Sequence, residues 1–351
     1  MIKYLGSKRA LMPILETLID ESSSQTALDL FTGTTRVAQA MKRAELTVTA
    51  VDTASYSEVF AKTYIELDRR QANEAELSEA IQRLNALDGK PGYFTDTFCE
   101  RASFFQAKNG VRIDAIRNQI EVEYQNSWMY QPLLASLISA ADKVDSTTGV
   151  QMAYLKTWSR RSFADLELKV PELIDGPGAA VRADANEAVE SIPEVDLAYL
   201  DPPYNQHRYF GNYHIWETLV RWDEPDFYGV ANKRVDTRSP ANKSLFNSKL
   251  TMPNALGDLI SKVKAKTLLL SYNNESWLSR RELTDMCLKY EAVQILDFDF
   301  KRYVGSQIGG YNQSGELVGK PGAKRNLEHV VIAGSLEQVT KLTEVVREKM
   351  Q

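Results

Sequence analysis

The tetrapeptide Asp201-Pro202-Pro203-Tyr204 places an acid, two prolines and an aromatic ring directly after a strand-like run at 195–200. Each proline fixes its own φ angle and lacks a backbone N–H, so the turn offers mainly hydrogen-bond acceptors. The Asp201 carboxylate and the Pro202 carbonyl can accept both hydrogens of an exocyclic amino group, while Tyr204 stacks on the heterocycle that carries it. Because a turn with proline is common by itself, the surrounding elements decide how the motif is interpreted.

A second group of residues follows the first two predicted strands. The strand Thr26–Phe31 leads to Gly33, where a glycine lets a ligand approach the backbone, and the next helix N-terminus suits a carboxylate or a phosphate. The strand Leu46–Val51 leads to Asp52, where an acid can accept both hydroxyls of a ribose. Neither the glycine spacing of a dinucleotide site nor a phosphate-binding loop occurs. The pattern therefore favours a nucleoside ligand without a pyrophosphate, such as S-adenosylmethionine.

Four acids stand in or after predicted strands, and their common position predicts one site. The carboxyl ends of parallel strands meet at one edge of an open α/β sheet, where ligands bind. We therefore expect one crevice to be lined by Asp29, Asp52, Asp184 and Asp201.

The elements that must position these residues follow an α/β pattern. The strands that end near Phe31 and Val51 flank a helix at Arg36–Arg43, and such a strand–helix–strand unit predicts a parallel sheet. A mostly helical segment at 93–170 interrupts the alternation and is interpreted as an insertion. Helices are also predicted at 9–21 and over 56–88, strands at 179–183, 195–200, 266–271, 291–297 and 328–333, and a loop or long hairpin tip at 304–326.

Composition limits the class of protein. The chain has 351 residues and 43% hydrophobic content, which is enough for a substantial core. It contains no apolar run long enough to span a membrane and no signal peptide, and its two distant cysteines fit a reducing cytosol, so we expect a cytoplasmic protein. Three histidines without ligand spacing predict no metal site. The net charge is −5, so any nucleic-acid contact must come from local basic clusters.

Taken together, these motifs resemble the class-α (Dam-like, D12) DNA adenine N6-methyltransferases, and most of all the FokI-type modification methyltransferases. The resemblance covers most of the chain, with cofactor motifs, insertion and catalytic motif in that order. One departure is the run Thr32-Gly33-Thr34-Thr35, where the family usually has a second glycine or a serine–glycine pair. The residues that carry the resemblance are 3–8, 29–33, Asp52, 112–117, 141–144, 148–149, Asp184, 200–205 and 211–218.

The resemblance implies a Rossmann-like S-adenosylmethionine-dependent methyltransferase sheet with a mostly helical DNA-recognition insertion. It divides the chain into 1–90 with the cofactor motifs, 91–175 as the recognition insertion, and 176–351 with the catalytic motif and DNA-binding loops. Asp52 would bind the ribose hydroxyls, Asp184 the adenine amino group, and Lys8 would lie near the methionine carboxylate. The cofactor-binding residues implied in this way are Tyr4, Gly6, Ser7, Lys8, Asp29, Phe31, Gly33, Thr34, Asp52 and Asp184.

The implied reaction is site-specific transfer of a methyl group from S-adenosyl-L-methionine to a flipped adenine in double-stranded DNA. The catalytic residues would be Asp201, Pro202, Pro203 and Tyr204, with no metal. DNA contacts are expected from Arg160, Arg161, Lys233, Arg234, Lys301 and Arg302.

Other readings of the sequence stay open at this point. They are a cytosine N4 or RNA adenine methyltransferase, a silent DNA-binding protein on the same fold, and a nicotinamide oxidoreductase, although the last lacks the glycines of a dinucleotide site. A cognate restriction endonuclease is a possible partner, and the sequence leaves the oligomeric state and the recognition sequence open.

Overall fold

A computed structural model describes residues 2–6, 8–203, 208–273, 276–301 and 325–349. The α-helices are α1 (Met12–Glu21), α2 (Arg36–Arg43), α3 (Ser55–Ala61), α4 (Glu74–Asn85), α5 (Tyr93–Thr95), α6 (Ala107–Tyr124), α7 (Tyr130–Val144), α8 (Ala185–Ser191), α9 (Tyr209–Asn212), α10 (His214–Arg221), α11 (Met252–Lys262), α12 (Arg280–Met286) and α13 (Leu336–Lys349). The strands are β1 (Thr26–Leu30), β2 (Thr47–Asp52), β3 (Gly178–Arg182), β4 (Val195–Leu200), β5 (Phe227–Tyr228), β6 (Lys233–Arg234), β7 (Ala265–Asn273), β8 (Ala292–Lys301) and β9 (Arg325–Gly334).

The chain divides into two compact units. The first unit comprises Met1–Lys8, Gln25–Ala188 and His207–Ser244, and the second comprises Arg9–Ser24, Val189–Gln206 and Leu245–Gln351. The first unit contributes three strands of the main sheet and the second contributes four, and each set is described in turn.

The first unit contains strands in the order β3-β2-β1, and all three are parallel. The register pairs Asp29 with Ala50 and Asp52 with Arg182, so Asp52 lies at the carboxyl end of β2. The connection from β1 to β2 runs through α2, as a parallel pair requires. This edge of the three strands is where a ligand site is expected.

One hydrophobic core joins the helices of the first unit. It includes side chains from α3, α4, α6, α7 and α10, among them Phe60, Ile81, Ile116, Leu134 and Trp216. Arg117 of α6 is 1% exposed, and its guanidinium donates to the carbonyls of Leu219 at 2.8 Å and Val220 at 3.0 Å. These carbonyls belong to the last turn of α10, where no N–H from the same helix can bond them, so Arg117 holds α10 in place.

The second unit contains strands in the order β4-β7-β9-β8. Strands β4 and β7 are parallel, with Leu200 opposite Leu270, whereas β9 pairs antiparallel with both β7 and β8. Helices α1 and α13 pack against one another. Among the described residues, no helix has both the length and the hydropathy needed to cross a bilayer.

The structure confirms the predicted α/β class and most predicted strands, with two differences. The predicted helix over 56–88 is broken, because α3 passes into a π-helix at Lys62–Glu66 and α4 begins only at Glu74. The sheet is mixed rather than wholly parallel. Strands β8 and β9 follow one another without a described helix between them, which permits antiparallel pairing.

The predicted insertion is helical only in its first part. Helices occupy much of 93–144, whereas 145–177 is irregular apart from a short 3₁₀ turn at Arg160–Phe163. Its helices α6 and α7 share the core with α3 and α10. The division at residues 90 and 175 stays a prediction about function, since the compact units divide the chain elsewhere.

Candidate active site

The turn between β1 and α2 is an unusual piece of backbone. Phe31, Gly33 and Thr35 have φ angles of 67°, 52° and 61°, so three residues of five adopt the left-handed region. A side chain at Gly33 would be strained there and would also meet the Tyr4 ring, since a Cβ would lie 3.0 Å from its Cε1 atom. The tight turn therefore brings the backbone of Gly33 directly under Tyr4. Phe31 is half-buried and Thr34 is buried.

Asp29 braces this turn from inside. It is 1% exposed, and its Oδ2 accepts from Thr32 Oγ1 at 2.8 Å and from the Ala38 N–H at 3.1 Å. It lies within β1 rather than beyond the strand end. Asp29 thus stabilises the turn between β1 and α2 and does not line an open crevice as the sequence pattern predicted, because the side chain is buried and its Oδ2 is bonded within the protein.

Asp52 links the turn to the next strand end. Its Oδ2 accepts from the Gly33 N–H at 2.8 Å, and its Oδ1 accepts from the Ala54 N–H at 3.0 Å. The side chain is half-buried, and burial raises the pKa of Asp52 above the ordinary value, although bonds from the amides of Ala54, Gly33 and Thr53 oppose the rise. A fixed carboxylate at the carboxyl edge of β2 is suited to accept the hydroxyls of a ribose.

Four tyrosines surround the N-terminal segment beside this turn. The ring of Tyr4 stacks on Tyr213 with centroids 4.8 Å apart and lies 5.4 Å from Tyr209 and 6.4 Å from Tyr56. Burial raises the pKa of Tyr4 and of Tyr56 well above 10, so both hydroxyls stay protonated. The Leu5 N–H donates to the Tyr213 hydroxyl at 2.5 Å. This cluster holds Tyr4 over Gly33.

The sequence singled out Tyr4 and did not predict its ring contacts with Tyr56, Tyr209 and Tyr213. The four-residue spacing of the last two was the available signal, since such residues share one face of a helical segment. The other predicted cofactor residues of this segment lie nearby in the chain. Gly6 places its backbone beside the Tyr209 hydroxyl, Lys8 is 8% exposed, and Ser7 lies outside the described residues.

Asp184 begins the next element at the same edge. It follows β3 by two residues, and its Oδ1 accepts from the Asn186 N–H at 2.9 Å at the start of α8. The Ala183 N–H donates to the Asp52 carbonyl at 3.1 Å, which places the two acid-bearing segments side by side. Asp184 is half-buried, so part of its carboxylate remains accessible. Asp52 and Asp184 thus share a strand edge, as predicted.

In the second unit, β4 ends at Leu200 and Asp201 follows at once. Asp201 and Pro203 are half-buried and Pro202 is buried. Neither proline can donate a backbone hydrogen bond, and the acceptor-rich character of this turn stays a prediction. Tyr204 lies outside the described residues.

The two adjacent arginines of the predicted DNA surface differ. Arg161 is half-buried, donates to the carbonyls of Asp145 at 2.8 Å and Thr147 at 2.7 Å, and also pairs closely with the Asp145 carboxylate. Arg160 is exposed. Arg161 therefore anchors the loop and its guanidinium is engaged internally, whereas Arg160 points its charge to solvent.

The second basic pair predicted to contact DNA is Lys233 and Arg234, and the structure corrects the prediction for Arg234. Arg234 is 1% exposed and its guanidinium binds Asp223 at 2.6 Å and Asp236 at 2.9 Å, so the prediction that it contacts DNA is wrong. A buried cation needs such partners, because an unpaired charge costs several kcal/mol, on the order of 3–5, in a protein interior. Lys233 is half-buried, with its Nζ 3.0 Å from Met152 Sδ. Lys301 ends β8, and Arg302 lies outside the described residues.

His214 is a buried residue of the first unit. It is 0% exposed, and its Nε2 lies 3.0 Å from the Gln151 carbonyl. Burial lowers the pKa of His214 to about 3, so the imidazole is neutral and donates this hydrogen bond. Within the described part of the chain, no group of three or more His, Cys, Asp or Glu side chains could hold a metal ion.

With the geometry known, comparison with other proteins identifies the family. Residues 4–286 match the D12 class N6 adenine-specific DNA methyltransferases. The chain belongs to this family. The matched range includes the Gly33 turn, Asp52, Asp184 and the Asp201 turn.

Curated relatives extend the similarity along the chain. The modification methylase StsI of Streptococcus sanguinis is 31% identical over 338 residues, which is 90% of this chain and 51% of that protein. The type II methyltransferase M.NlaIII of Neisseria lactamica is 31% identical over 89% of this chain and 95% of its own length. M.FokI of Planomicrobium okeanokoites is 29% identical over 86% of this chain and 50% of its own length. The chain thus spans about half the length of StsI and M.FokI.

Proposed function

We propose that this chain transfers a methyl group from S-adenosyl-L-methionine to the N6 amino group of an adenine in a specific double-stranded DNA sequence. The observation that carries the proposal is that the family match spans both the Asp52 turn and the Asp201 turn. The Asp52 turn would bind the nucleoside part of the cofactor, and the Asp201 turn would offer hydrogen-bond acceptors to the target amino group. The names of relatives such as StsI support a role as the modification component of a restriction–modification system with a cognate endonuclease.

The described residues fit the cofactor. The half-buried Asp52 offers a fixed carboxylate to ribose hydroxyls, and Gly33 keeps the backbone open beneath Tyr4. Asp184 offers an acceptor at the same edge for an amino group of the adenine ring. No phosphate-binding loop is present in the sequence, which suits a nucleoside without a pyrophosphate. When bound, S-adenosylmethionine supplies a methyl group on a sulfonium, ready for transfer to a nucleophile.

The acceptor-rich turn after β4 would prepare that nucleophile. The target adenine would leave the duplex at a cost of a few kcal/mol and stack on Tyr204. Asp201 and the Pro202 carbonyl would accept the two amino hydrogens, which draws the nitrogen toward sp³ geometry and exposes its lone pair. Positioning and preorganised acceptors would supply most of the acceleration.

The loop that follows α7 would contact DNA. Ser159 donates its N–H to Ser146 Oγ at 3.0 Å and its hydroxyl to the Asp145 carbonyl at 3.0 Å, so the backbone there is fixed. On this support the side chains of Trp158 and Phe163 are 40% and 59% exposed, and Arg160 is exposed between them in sequence. Basic and aromatic groups together suit phosphates and exposed bases.

The test is methyl transfer to DNA with Asp201→Ala. Plasmid DNA is incubated with labelled S-adenosylmethionine, and label on N6-methyladenine is measured after hydrolysis to nucleosides. We expect the wild-type chain to label adenine and the variant to lose roughly 10²–10³ in kcat, which is the usual effect of losing one preorganised active-site partner. Cofactor binding should persist in the variant. Label on cytosine, or wild-type turnover by the variant, would contradict the proposal.

A further inference from the structure

The segment formed by α9 and α10 contacts the cofactor site at three places. Tyr209 and Tyr213 lie against Tyr4, and four positions further on Glu217 accepts the N–H of Ser55 at 2.7 Å through its Oε1. Tyr209 begins α9, Tyr213 stands between the two helices, and Glu217 lies in α10. Only the tyrosines touch the residues assigned to the cofactor, so the role of Glu217 has to be sought through Ser55.

Ser55 is the first residue of α3, and its N–H has no partner within the helix. The preceding N–H, that of Ala54, donates to Asp52 Oδ1 at 3.0 Å. Two consecutive amides of one turn are therefore bound by two carboxylates, one from Asp52 itself and one from Glu217. The contact between Glu217 and Ser55 joins residues 162 positions apart, so the turn is fixed by a distant element.

The Glu217 carboxylate is buried, and burying a charged group costs free energy. The residue is 1% exposed, and a buried carboxylate is unfavourable unless hydrogen bonds satisfy it. The N–H and the hydroxyl of Ser55, the first residue of α3, supply that stabilisation. Arg182 also binds Ser55, because its Nη1 donates to Ser55 Oγ at 2.8 Å. Ser55 thus donates its backbone N–H to Glu217 and accepts a hydrogen bond from Arg182 at its hydroxyl.

We propose that Glu217 is a positioning residue for cofactor binding, which holds the turn 52–55 so that the Asp52 carboxylate faces the ribose hydroxyls. The inference rests on the proposed function, because it assumes that Asp52 binds S-adenosylmethionine. Glu217 does not contact the cofactor itself. Its loss should weaken cofactor binding and leave the rate of the methyl-transfer step unchanged.

The first experiment compares Glu217→Ala with Glu217→Gln. Binding of S-adenosylmethionine is measured by calorimetry without DNA, at a temperature where circular dichroism shows each variant to be folded. We expect the alanine variant to raise Kd about tenfold, the scale of one lost hydrogen bond to a charged group. Gln retains an acceptor oxygen for the Ser55 N–H, so it should restore most of the affinity. In methylation assays the alanine variant should raise the KM for cofactor and leave kcat nearly intact.

The second experiment removes the donor and leaves Glu217 in place. The backbone at position 55 admits proline, because proline is favoured in the first turn of a helix and Ala54 has the extended φ of −79° and ψ of 136° that a following proline requires. The proline Cδ would occupy the space between the residue 55 nitrogen and Glu217 Oε1, which are 2.7 Å apart, and would therefore displace that carboxylate. Ser55→Pro removes both the N–H and the hydroxyl, whereas Ser55→Ala removes only the hydroxyl, which bonds Arg182 and Glu217. The ratio of their cofactor Kd values therefore measures the loss of the N–H contact together with the displacement of the Glu217 carboxylate, and we expect it to be about tenfold.

The outcomes separate this inference from the proposed function. If the wild-type chain binds no S-adenosylmethionine, the proposed function fails, and the inference fails with it. If the wild-type chain binds the cofactor and the folded Glu217→Ala and Ser55→Pro variants bind it equally well, the positioning role is refuted while the function stands. A fall in kcat with an unchanged KM would also refute it. If Glu217→Ala does not fold, the ratio of the two Ser55 variants decides.

Discussion

Gly33→Ala tests whether the tight contact under Tyr4 shapes the cofactor site. The residue has φ of 52°, and a left-handed conformation costs an alanine about 1–2 kcal/mol. The new Cβ would stand 3.0 Å from Tyr4 Cε1, so the ring must move from its 4.8 Å stack on Tyr213. Losing a favourable aromatic pair adds about 0.5–1.5 kcal/mol. We expect the free energy of unfolding to fall by the sum of both effects.

Gly229 provides the matched control for this substitution. It has φ of 70°, and no atom lies within 4 Å of the position that its Cβ would take. Gly229→Ala should therefore show only the conformational cost of about 1–2 kcal/mol. Denaturant unfolding gives both values, and calorimetry gives the cofactor Kd, which should rise about tenfold, or about 1.4 kcal/mol, in Gly33→Ala alone. Equal destabilisation of the two variants with equal cofactor affinity would refute the placement of Tyr4 over Gly33.

Three further predictions concern charge. Burial raises the pKa of Asp52, so cofactor affinity should fall as the pH is lowered through a range where an ordinary aspartate is still ionised. Asp52→Asn should bind the cofactor more weakly and with a flatter pH profile. An unchanged profile measured by calorimetry would contradict the role of Asp52. His214 has a pKa of about 3 in the folded chain and about 6.5 unfolded, so stability is present above pH 6.5 and should fall by about 2 kcal/mol at pH 5, a loss that His214→Gln should reduce in urea unfolding. Arg160→Ala should flatten the salt slope of DNA binding by about 0.9 in filter binding, whereas Arg161→Ala should lower the melting temperature; the reverse result would show that the two roles are exchanged.

Several features of the site could be predicted from the sequence because they depend on neighbours in the chain. A strand followed by Gly33, a second strand ending at Asp52, and two prolines after Asp201 each fix local backbone geometry. Parallel pairing then brings strand ends to one edge, which is why Asp52 and Asp184 lie side by side in the first unit. The charged residues were harder to assign, since Arg160 and Arg161 look alike in sequence and differ only in their partners.

The sequence by itself determined the α/β class, the tight turn at Gly33 beside the strand end at Asp52, and the proline turn after Asp201, since secondary structure and turn geometry are set over a few residues. Only the tertiary structure decided which polar side chains serve the fold. Arg234 is buried between two acids, and Glu217 binds the N–H of Ser55 from 162 positions away. The physical reason is that the cost of burying a charge is offset by whatever partner packing brings to it, and that partner is fixed by contacts between distant segments.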